Sequence, residues 1–316
     1  MTVTTASASD SAPLISVVIC TRNRAQLLER ALASVVEQEF ARTDYEILVV
    51  DNGSTDRTQE VVKRFPDARY LYEGEAGLCI ARNTGWREAK GRYVAFFDDD
   101  ATALPGWLAA IRDGFASASP LVGIVGGPVR PIWERPRPAW LADEIVCSLT
   151  VIDWGPSDKL IDDVSREWLV GANMAIPKSL LAEVGGFHPW LDRVGNNLLS
   201  SGDVFLQKEL RKRGYSCLYR PSMAVTHWVP ASRLDQRWIL RRYYWQGVSD
   251  AVIHLIENSP SPAERLRLAA ARSASLPRSP RNVPLVPTER ANAFTAKCFS
   301  LIDVGFVSGL LGAAKR

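Results

Sequence analysis

The fold is decided largely by Tyr93–Asp100, YVAFFDDD, where an apolar run ends in three consecutive carboxylates. An apolar run without polar alternation is typical of a strand that is covered on both faces. Two earlier runs, Ile15–Cys20 and Glu46–Asp51, have the same character and are also followed by polar residues. We therefore predict buried strands, Tyr93–Asp98 among them, that carry polar side chains at their carboxyl ends.

Helical patterns lie beside these runs. Ala25–Gln38 has apolar residues at helical spacing, Thr55–Phe65 follows a cluster of helix-capping residue types, and Leu78–Lys90 is followed by a glycine. Strands and helices that alternate in this way predict right-handed crossovers. We predict an α/β fold with a mostly parallel central sheet flanked by helices, and ligands bind at the carboxyl ends of the strands in such sheets.

The composition excludes several classes of protein. The chain has 316 residues, of which 47% are hydrophobic and 23% charged, so collagen, coiled coil and wholesale disorder are poor interpretations. A formal net charge of +3 gives no support to a nucleic-acid partner. The five cysteines are scattered and never form C-x-x-C, which argues against a disulfide framework or a zinc knuckle. A reducing, cytoplasmic compartment is expected.

The three carboxylates predict a metal site. They cannot comfortably stay ionised together without a cation, and hard oxygen ligands suit Mg²⁺ or Mn²⁺, which share oxygens with a substrate phosphate. Alternate residues of an extended segment point the same way, so we expect Asp98 and Asp100 to lie together and Asp99 apart. Two alternatives remain open: Asp98 faces a sugar hydroxyl while Asp100 holds the metal, or the acidic loop caps the next helix.

Asp51 ends the second strand and precedes Asn52-Gly53-Ser54. A carboxylate in this place can accept hydrogen bonds from a ribose hydroxyl or a base N–H. The alternative is that Asp51 only begins a turn, because Asn-Gly is strong turn chemistry. The chain has no G-x-G-x-x-G after the first strand and no P-loop, so a dinucleotide oxidoreductase and a P-loop enzyme are excluded.

Five runs of the chain carry motifs in a fixed order. They are ISVVICTRNR (15–24), ILVVDNGSTDRT (47–58), GLCIARNTGWREAKGRYVAFFDDDATALPGWL (77–108), WLVGANMAIPKSLLAEVGGF (168–187) and LLSSGDVFLQKELRKRGY (198–215). The first three resemble the nucleotide-sugar domain of family 2 glycosyltransferases, which have the Rossmann-like GT-A fold. The last two are similar to the family's acceptor half. The resemblance implies inverting transfer from a nucleotide-diphosphate sugar to a hydroxyl, in cell-surface polysaccharide or glycoconjugate assembly.

The resemblance implies roles for individual residues on the donor side. Thr21, Asn23 and Asp51 match positions that hold the nucleoside, and Arg82 matches a residue near the donor nucleotide or diphosphate. An exposed helix arginine is the alternative for Arg82. The family's D-x-D falls on Asp98 and Asp100, with Asp99 grouped among the nucleotide-sugar contacts. His227 matches a histidine that can reach the metal or diphosphate, and the alternative for it is a structural histidine.

The second half matches the acceptor side. Gly171, Ala172 and Asn173 match a loop near the transferred sugar, and Trp168, just before that loop, is a candidate for stacking on a sugar. Asp203 matches the catalytic base, which must take a proton from the acceptor hydroxyl. Its alternative is the N-cap of a helix over Val204–Arg213.

The family usually has two acids where this chain has Gly202 and Asp203. The missing first acid leaves a scaffold that binds nucleotide sugars with little or no turnover as an alternative function. Nucleotidyl transfer is a further alternative, because it also uses a nucleotide fold with acidic metal ligands. Mg²⁺ or Mn²⁺ is the implied cofactor. UDP or dTDP is the favoured donor nucleotide, GDP is the other option, and the acceptor is a glycan or is lipid-linked.

We predict four segments. Residues 1–13 form a disordered leader, 14–120 the nucleotide-sugar-binding half, 121–230 the acceptor-binding half, and 231–316 a helical, basic extension. The extension has 13 basic and 6 acidic residues, a net charge of +7.

Within the extension, Arg237–Trp245 mixes cationic with aromatic residues, which suits a helix on an anionic membrane at the inner face of the cell. The alternative is a helix packed back over the active site. No run of 18 apolar residues exists, so a spanning helix is not expected.

Overall fold

The computed structural model describes residues 12–117, 121–274, 288 and 290–313, so most of the predicted leader 1–13 lies outside the described residues. In this part of the chain the strands are β1 (Ile15–Thr21), β2 (Tyr45–Asp51), β3 (Ala68–Tyr72), β4 (Tyr93–Asp98), β5 (Ala101–Ala103), β6 (Val122–Gly126), β7 (Val129–Trp133), β8 (Lys159–Ile161), β9 (Asn173–Pro177), β10 (Ser216–Tyr219) and β11 (Val225–Val229). The α-helices are α1 (Ala25–Val36), α2 (Thr58–Lys63), α3 (Leu78–Glu88), α4 (Trp107–Ser117), α5 (Asp143–Val146), α6 (Lys178–Val184), α7 (Gly202–Lys212), α8 (Gln236–Asn258), α9 (Pro262–Ala274) and α10 (Ala291–Leu310).

The central sheet has eight strands in the order β3-β2-β1-β4-β9-β6-β10-β8. Six of them share one direction, and β9 and β8 run against their neighbours. The prediction of an α/β fold with a mostly parallel sheet is therefore confirmed. Thr21 is in register with Asp51, and Cys20 with Asp98. The polar ends of β1, β2 and β4 thus meet at one edge of the sheet, where the sequence predicts a site.

The strands of the first half are covered on both faces, as predicted. Val17 and Ile19 of β1 belong to one hydrophobic cluster with Leu28 of α1. Val18 faces the other way and belongs to a second cluster with Trp86 of α3. Burial on two faces explains why the strand has no polar alternation.

Helix α2 is shorter than the predicted Thr55–Phe65. The Asp56 carboxylate accepts hydrogen bonds from the backbone N–H of Thr58 at 3.0 Å and of Ala25, at the start of α1, also at 3.0 Å. The residues before Thr58 therefore form a turn that ties two helix starts together, and α2 begins only after it.

A second sheet, in the order β5-β11-β7, brings His227 to the acidic strand end. Strand β5 follows the three carboxylates directly, and His227 of β11 is in register with Ala101 of β5. A residue more than a hundred positions away thereby reaches the neighbourhood of Asp100.

The basic extension packs against the rest of the protein. Ile239, Tyr243 and Val248 of α8 are buried, and the helix lies against α10. A Cβ added at Gly247 would overlap the carbonyl of Ile302, and one at Gly305 would overlap that of Tyr244. The sequence allows two interpretations of Arg237–Trp245, a helix on a membrane surface and a helix packed back over the active site. The structure has this segment in a helix that packs against the rest of the protein.

Helix α10 is apolar along its length. It is long and apolar enough to cross a membrane by length and composition alone, with a mean hydropathy of 1.4 over its most apolar window, and a third of that window is buried. The sequence does not predict a spanning helix, because it contains no run of 18 consecutive apolar residues. Helix α10 escapes that criterion because it contains Lys297 and Asp303.

Candidate active site

A cavity of about 520 Å³ lies beside the carboxyl end of β4, between residues of α3, α7, α8 and α10. Six of the residues that the sequence singles out line it: Arg82, Asp98, Trp168, Gly171, Ala172 and Asp203. Seven others lie outside its lining: Thr21, Asn23, Asp51, Asp99, Asp100, Asn173 and His227. The structure therefore divides the predicted set into a cavity group and a group at the sheet edge.

Four residues of the cavity group are linked side by side. Arg82 Nη2 donates to Asp98 Oδ1 at 3.0 Å. A Cβ added at Gly171 would lie 2.5 Å from the Arg82 guanidinium, so glycine is needed for this close approach. The Gly171 N–H in turn donates to Asp203 Oδ2 at 3.0 Å. The D-x-D strand end and the predicted base thus belong to one connected wall.

Arg82 is buried and paired, so the alternative of an exposed helix arginine is wrong. Its guanidinium also lies over the ring of Phe187, 5.3 Å from the centroid. Burial lowers the pKa of Arg82, but Asp98 and Asp203 outweigh it and raise the pKa above its ordinary value. The arginine therefore stays cationic beside the cavity, where it can neutralise a diphosphate.

The three carboxylates are arranged differently from the prediction. Arg24 Nη1 donates to Asp99 Oδ1 at 2.9 Å and to Asp100 Oδ2 at 3.0 Å, while Asp98 pairs with Arg82. Pairing of Asp98 with Asp100 and isolation of Asp99 is therefore wrong. The reason is that β4 ends at Asp98 and the chain turns over Asp99 and Asp100, so strand alternation does not apply to them. Nor does Asp98 act as the cap of α4.

Asp99 and Asp100 differ in their surroundings. The Thr21 hydroxyl donates to Asp99 Oδ2 at 2.8 Å. Burial raises the pKa of Asp99 to about 6, against the attraction of Arg24. Burial opposes the charge on Asp100 as well, but His227, Arg24 and Arg233 outweigh it and hold the pKa of Asp100 well below its ordinary value. Asp100 is therefore the stably ionised member of the pair.

Asp100 and His227 fit a divalent cation. His227 Nε2 lies 3.2 Å from Asp100 Oδ1, and both side chains are buried. Apart from this close approach of His227, Asp100 Oδ1 has no hydrogen-bond partner, and the buried His227 Nδ1 has none either, which is costly for buried polar atoms. Within the described residues no group of three or more metal-ligating side chains gathers, so a bound ion would rely on a few protein ligands. Mg²⁺ and similar ions accept this when waters and phosphates complete the shell.

The predicted nucleoside residues form a tight turn at the ends of β1 and β2. Asp51 accepts hydrogen bonds from the Ser54 N–H and the Tyr70 hydroxyl, both at 2.8 Å. Asn23 has φ 55° and accepts from the Thr55 N–H at 2.7 Å. Burial and then the bond to Asp51 raise the pKa of Tyr70 to about 12. Asp51 therefore does begin a turn, and its contact with a nucleoside stays a prediction.

Asn173 is fully buried away from the cavity. Its Nδ2 donates to the carbonyls of Pro128 at 3.2 Å and Met223 at 2.6 Å, and its Oδ1 accepts from Trp107 Nε1 at 2.8 Å. With its amide satisfied in this way, Asn173 joins β9 to three other segments, and its side chain does not line the cavity. Trp168, by contrast, lines the cavity, with its ring edge-to-face on Trp154 at a centroid distance of 5.4 Å.

The alternative role of Asp203, as the N-cap of helix α7, is wrong. Helix α7 begins at Gly202, after Ser201 in a left-handed conformation with φ 69°. Asp203 lies within the first turn, and its Oδ1 accepts only from the adjoining Val204 N–H. A Cβ added at Gly202 would lie 3.1 Å from Cys79 Sγ, so this position is packed tightly for glycine.

Three functional side chains are absent from the sequence prediction. Arg24 holds two carboxylates, and only its place one residue after Asn23 hints at this. Asp192 is fully buried and accepts from the N–H groups of Cys79 and Ile80 at the start of α3, at 3.0 and 3.2 Å. Arg242 lines the cavity, and the sequence gives it no individual role, although a helix packed back over the active site is one of the two interpretations of its segment.

Residues 16–154 match the model of the family described as Glycosyl transferase family 2. Glycosyltransferase AglE from Haloferax volcanii is 29% identical over 222 residues, which are 68% of this chain and 67% of that protein. The glucosyl-dolichyl phosphate glucuronosyltransferase of the same organism is 25% identical over 249 residues, 77% of this chain and 78% of that protein.

Among solved structures, the mannosyltransferase PcManGT from Pyrobaculum calidifontis, in complex with GDP-Man and Mn²⁺, is similar with a TM-score of 0.61. The two chains are 22% identical, and the likeness covers 97% of this chain and 89% of that one. The similarity concerns the fold, and it confirms the predicted GT-A architecture.

Proposed function

We propose that this chain, which is similar to family 2 glycosyltransferases over residues 16–154, moves a sugar, with inversion at the anomeric carbon, from a nucleotide-diphosphate sugar to an acceptor hydroxyl. The observation that carries the proposal is the connected wall of the cavity. It joins Asp98 through Arg82 and Gly171 to Asp203, so an acidic strand end and a free carboxylate serve one space. Donor and acceptor must meet in such a space for a single displacement.

Asp203 acts as the base in this proposal. One of its oxygens is held by the Gly171 N–H and the other by the Val204 N–H, so the carboxylate is oriented without being paired to a cation. It accepts the proton of the acceptor hydroxyl while the hydroxyl oxygen attacks the anomeric carbon, and the nucleoside diphosphate leaves with the bonding electrons. Arg82 neutralises charge on the leaving group.

Asp100 and His227 would hold the divalent cation, with waters and the diphosphate of the donor completing its shell. When bound, the ion supplies positive charge to the diphosphate. Arg24 keeps the two acidic residues of the turn in place, because its guanidinium binds both of them. The incomplete hydrogen bonding of this buried pair, at Asp100 Oδ1 and His227 Nδ1, supports a metal over a purely structural ion-pair cluster.

For the donor, we propose a pyrimidine nucleotide, UDP or dTDP, held at the turn formed by Thr21, Asn23 and Asp51. GDP is the second candidate, since the solved neighbour PcManGT is in complex with GDP-Man. Residues 14–120 form the donor half in this proposal, 121–230 the acceptor half, and the extension from 231 closes the cavity.

For the acceptor, we propose a lipid-linked sugar of cell-envelope glycan assembly. A relative named for transfer to glucosyl-dolichyl phosphate supports this choice. Peripheral contact with the membrane through the extension would bring the enzyme to such an acceptor, and the exposed apolar residues of α9 and α10, Leu266 and Phe299, support that contact.

A thermal-shift screen of UDP-, dTDP- and GDP-sugars, with and without Mn²⁺, tests the donor. We expect one nucleotide class to raise Tm in a Mn²⁺-dependent way, because a ligand that binds the folded state stabilises it. The same donor should then release nucleoside diphosphate when a lipid extract is added, with inverted configuration in the product. Binding without release would favour the scaffold that Gly202 suggests, and release of pyrophosphate would favour nucleotidyl transfer.

A further inference from the structure

Arg242 of α8 lines the same cavity as Asp203 with an incomplete set of partners. Its Nη2 donates to Gln246 Oε1 at 3.2 Å, whereas Nε and Nη1 are buried and have no hydrogen-bond partner. No ion pair within the described residues includes Arg242. A buried guanidinium with unused donors is unfavourable unless something else binds there.

Two of the other arginines near the reaction site are neutralised by carboxylates, and a third, Arg193, lines the cavity with its Nε donating to the Leu199 carbonyl at 3.0 Å. Arg82 is paired with Asp98, and Arg24 with Asp99 and Asp100. Burial lowers the pKa of Arg242, and the carboxylates that act on it are Asp203 and Asp250, not those of the strand end. Gln246 Nε2 donates to Asp250 Oδ1 at 2.9 Å, so Asp250 is engaged by the same glutamine. Arg242 therefore lies on the Asp203 side of the cavity.

The wall next to Arg242 is apolar and reaches the surface. Phe299 and Ile302 of α10 line the cavity, and the Phe299 ring meets that of Tyr243 edge-to-face at a centroid distance of 5.9 Å. Phe299 lines the cavity and is 47% exposed. A buried cationic group and an accessible apolar side chain thus line the same cavity.

We propose that Arg242 binds a phosphate of the acceptor and that Phe299 and Ile302 receive the start of its hydrocarbon chain. The inference rests on the proposed function and names the acceptor class for it, a lipid phosphate or diphosphate that carries the sugar with the attacking hydroxyl. Guanidinium groups bind phosphate with strong, charge-assisted hydrogen bonds, which suits the two unused donors.

Binding of farnesyl phosphate to the full chain tests this site, because the probe has the phosphate and a short prenyl chain but no sugar. Calorimetry would compare the wild type with Arg242→Met, Arg242→Lys and Arg237→Met. Arg237 is an exposed arginine on the same helix, outside the cavity, so it controls for loss of charge. Thermal unfolding and Mn²⁺-dependent binding of the donor nucleotide, measured on each variant, show whether it is folded.

We expect the Kd of farnesyl phosphate to rise about 10- to 100-fold in Arg242→Met, less in Arg242→Lys, and by no more than about twofold in Arg237→Met. Farnesol and inorganic phosphate should each bind much more weakly than farnesyl phosphate. Donor-nucleotide affinity should stay the same in every variant.

Equal Kd values for the wild type and a folded Arg242→Met would overturn the proposal. Farnesol that binds as tightly as farnesyl phosphate would overturn the role of Arg242, and inorganic phosphate that does so would overturn the role of Phe299 and Ile302. A wild type that binds no nucleotide sugar at all would instead contradict the proposed function, so the two failures are distinguishable.

Discussion

The sheet edge and the helical wall of the cavity hold their charges in different ways. At the edge, Arg24 is paired with Asp99 and Asp100, Arg82 with Asp98, and Asp51 accepts two hydrogen bonds, so one oxygen of Asp100 is the main group left over. On the helical wall, Arg242 has two unused donors and Asp203 accepts only from backbone N–H groups. Under the proposed function, the donor side would be preorganised by its own residues, whereas the acceptor side would be completed by its ligand.

Asp203→Asn should have the largest effect and bears directly on this contrast. Removal of the base should lower kcat by about 10²- to 10⁴-fold, while donor binding at the sheet edge stays intact. Steady-state kinetics with calorimetric titration of the donor nucleotide would check both. Asp143→Asn is a matched control, because that carboxylate is 89% exposed and outside the cavity. Full activity of Asp203→Asn would contradict the assigned base.

Asn173→Ala should reduce the stability of the protein, and we expect no direct role of this residue in the reaction. The change leaves the Trp107 Nε1–H and the Met223 carbonyl without their Asn173 partner, while the Pro128 carbonyl keeps the Val225 N–H, so we expect the free energy of unfolding to fall by about 2–4 kcal/mol. Denaturant unfolding followed by tryptophan fluorescence measures this. Asn258→Ala, at an exposed position, serves for comparison. A stable variant with a raised KM for the donor would instead support a sugar contact for Asn173.

Gly171→Ala should weaken the link between the two regions. The new Cβ would push against the Arg82 guanidinium and shift it from Asp98, so we expect kcat/KM to fall about 10- to 100-fold, as small misplacements of catalytic groups do. Gly74→Ala is the control, since its Cβ would meet only Tyr72, at 3.5 Å or more. Unchanged kinetics in Gly171→Ala would show that the Asp98–Arg82 pair does not need this close contact.

The smallest expected effect of a single substitution concerns Asp100, whose Oδ1 lies at the sheet edge. Chelation should abolish transfer, and Mn²⁺ or Mg²⁺ should restore it. In Asp100→Asn the concentration of Mn²⁺ for half-maximal activity should rise by about 10-fold or more, because the pair with His227 loses its charge. Asp99→Asn should shift that concentration less. Identical metal titrations for wild type and Asp100→Asn would remove Asp100 from the metal site.

The first half of the chain was largely predictable from sequence, because its information is local. The apolar run of Tyr93–Asp98 and its acidic end place the strand and the edge without knowledge of partners. The prediction failed one residue beyond the strand, where the backbone turns and Asp99 joins Asp100 on Arg24. Strand periodicity carries no information past the last strand residue.

The rest of the site depends on contacts between distant segments. Asp192 reaches the start of α3 from 113 positions away, and β9 inserts between β4 and β6 from the second half. For Arg237–Trp245, composition alone fits either a membrane surface or a packed helix. The choice is made by Ile239 and Tyr243, which are buried four residues apart on one side of α8. Only tertiary packing reveals that Arg242 then faces the cavity.

The glycine contacts between α8 and α10 have a mechanical consequence. At Gly247 and Gly305 the two backbones touch with no layer of side chains between them, so nothing compressible separates the helices. A side chain larger than glycine at either position would therefore force the two helices apart, and would change the spacing between Arg242 on α8 and Phe299 on α10.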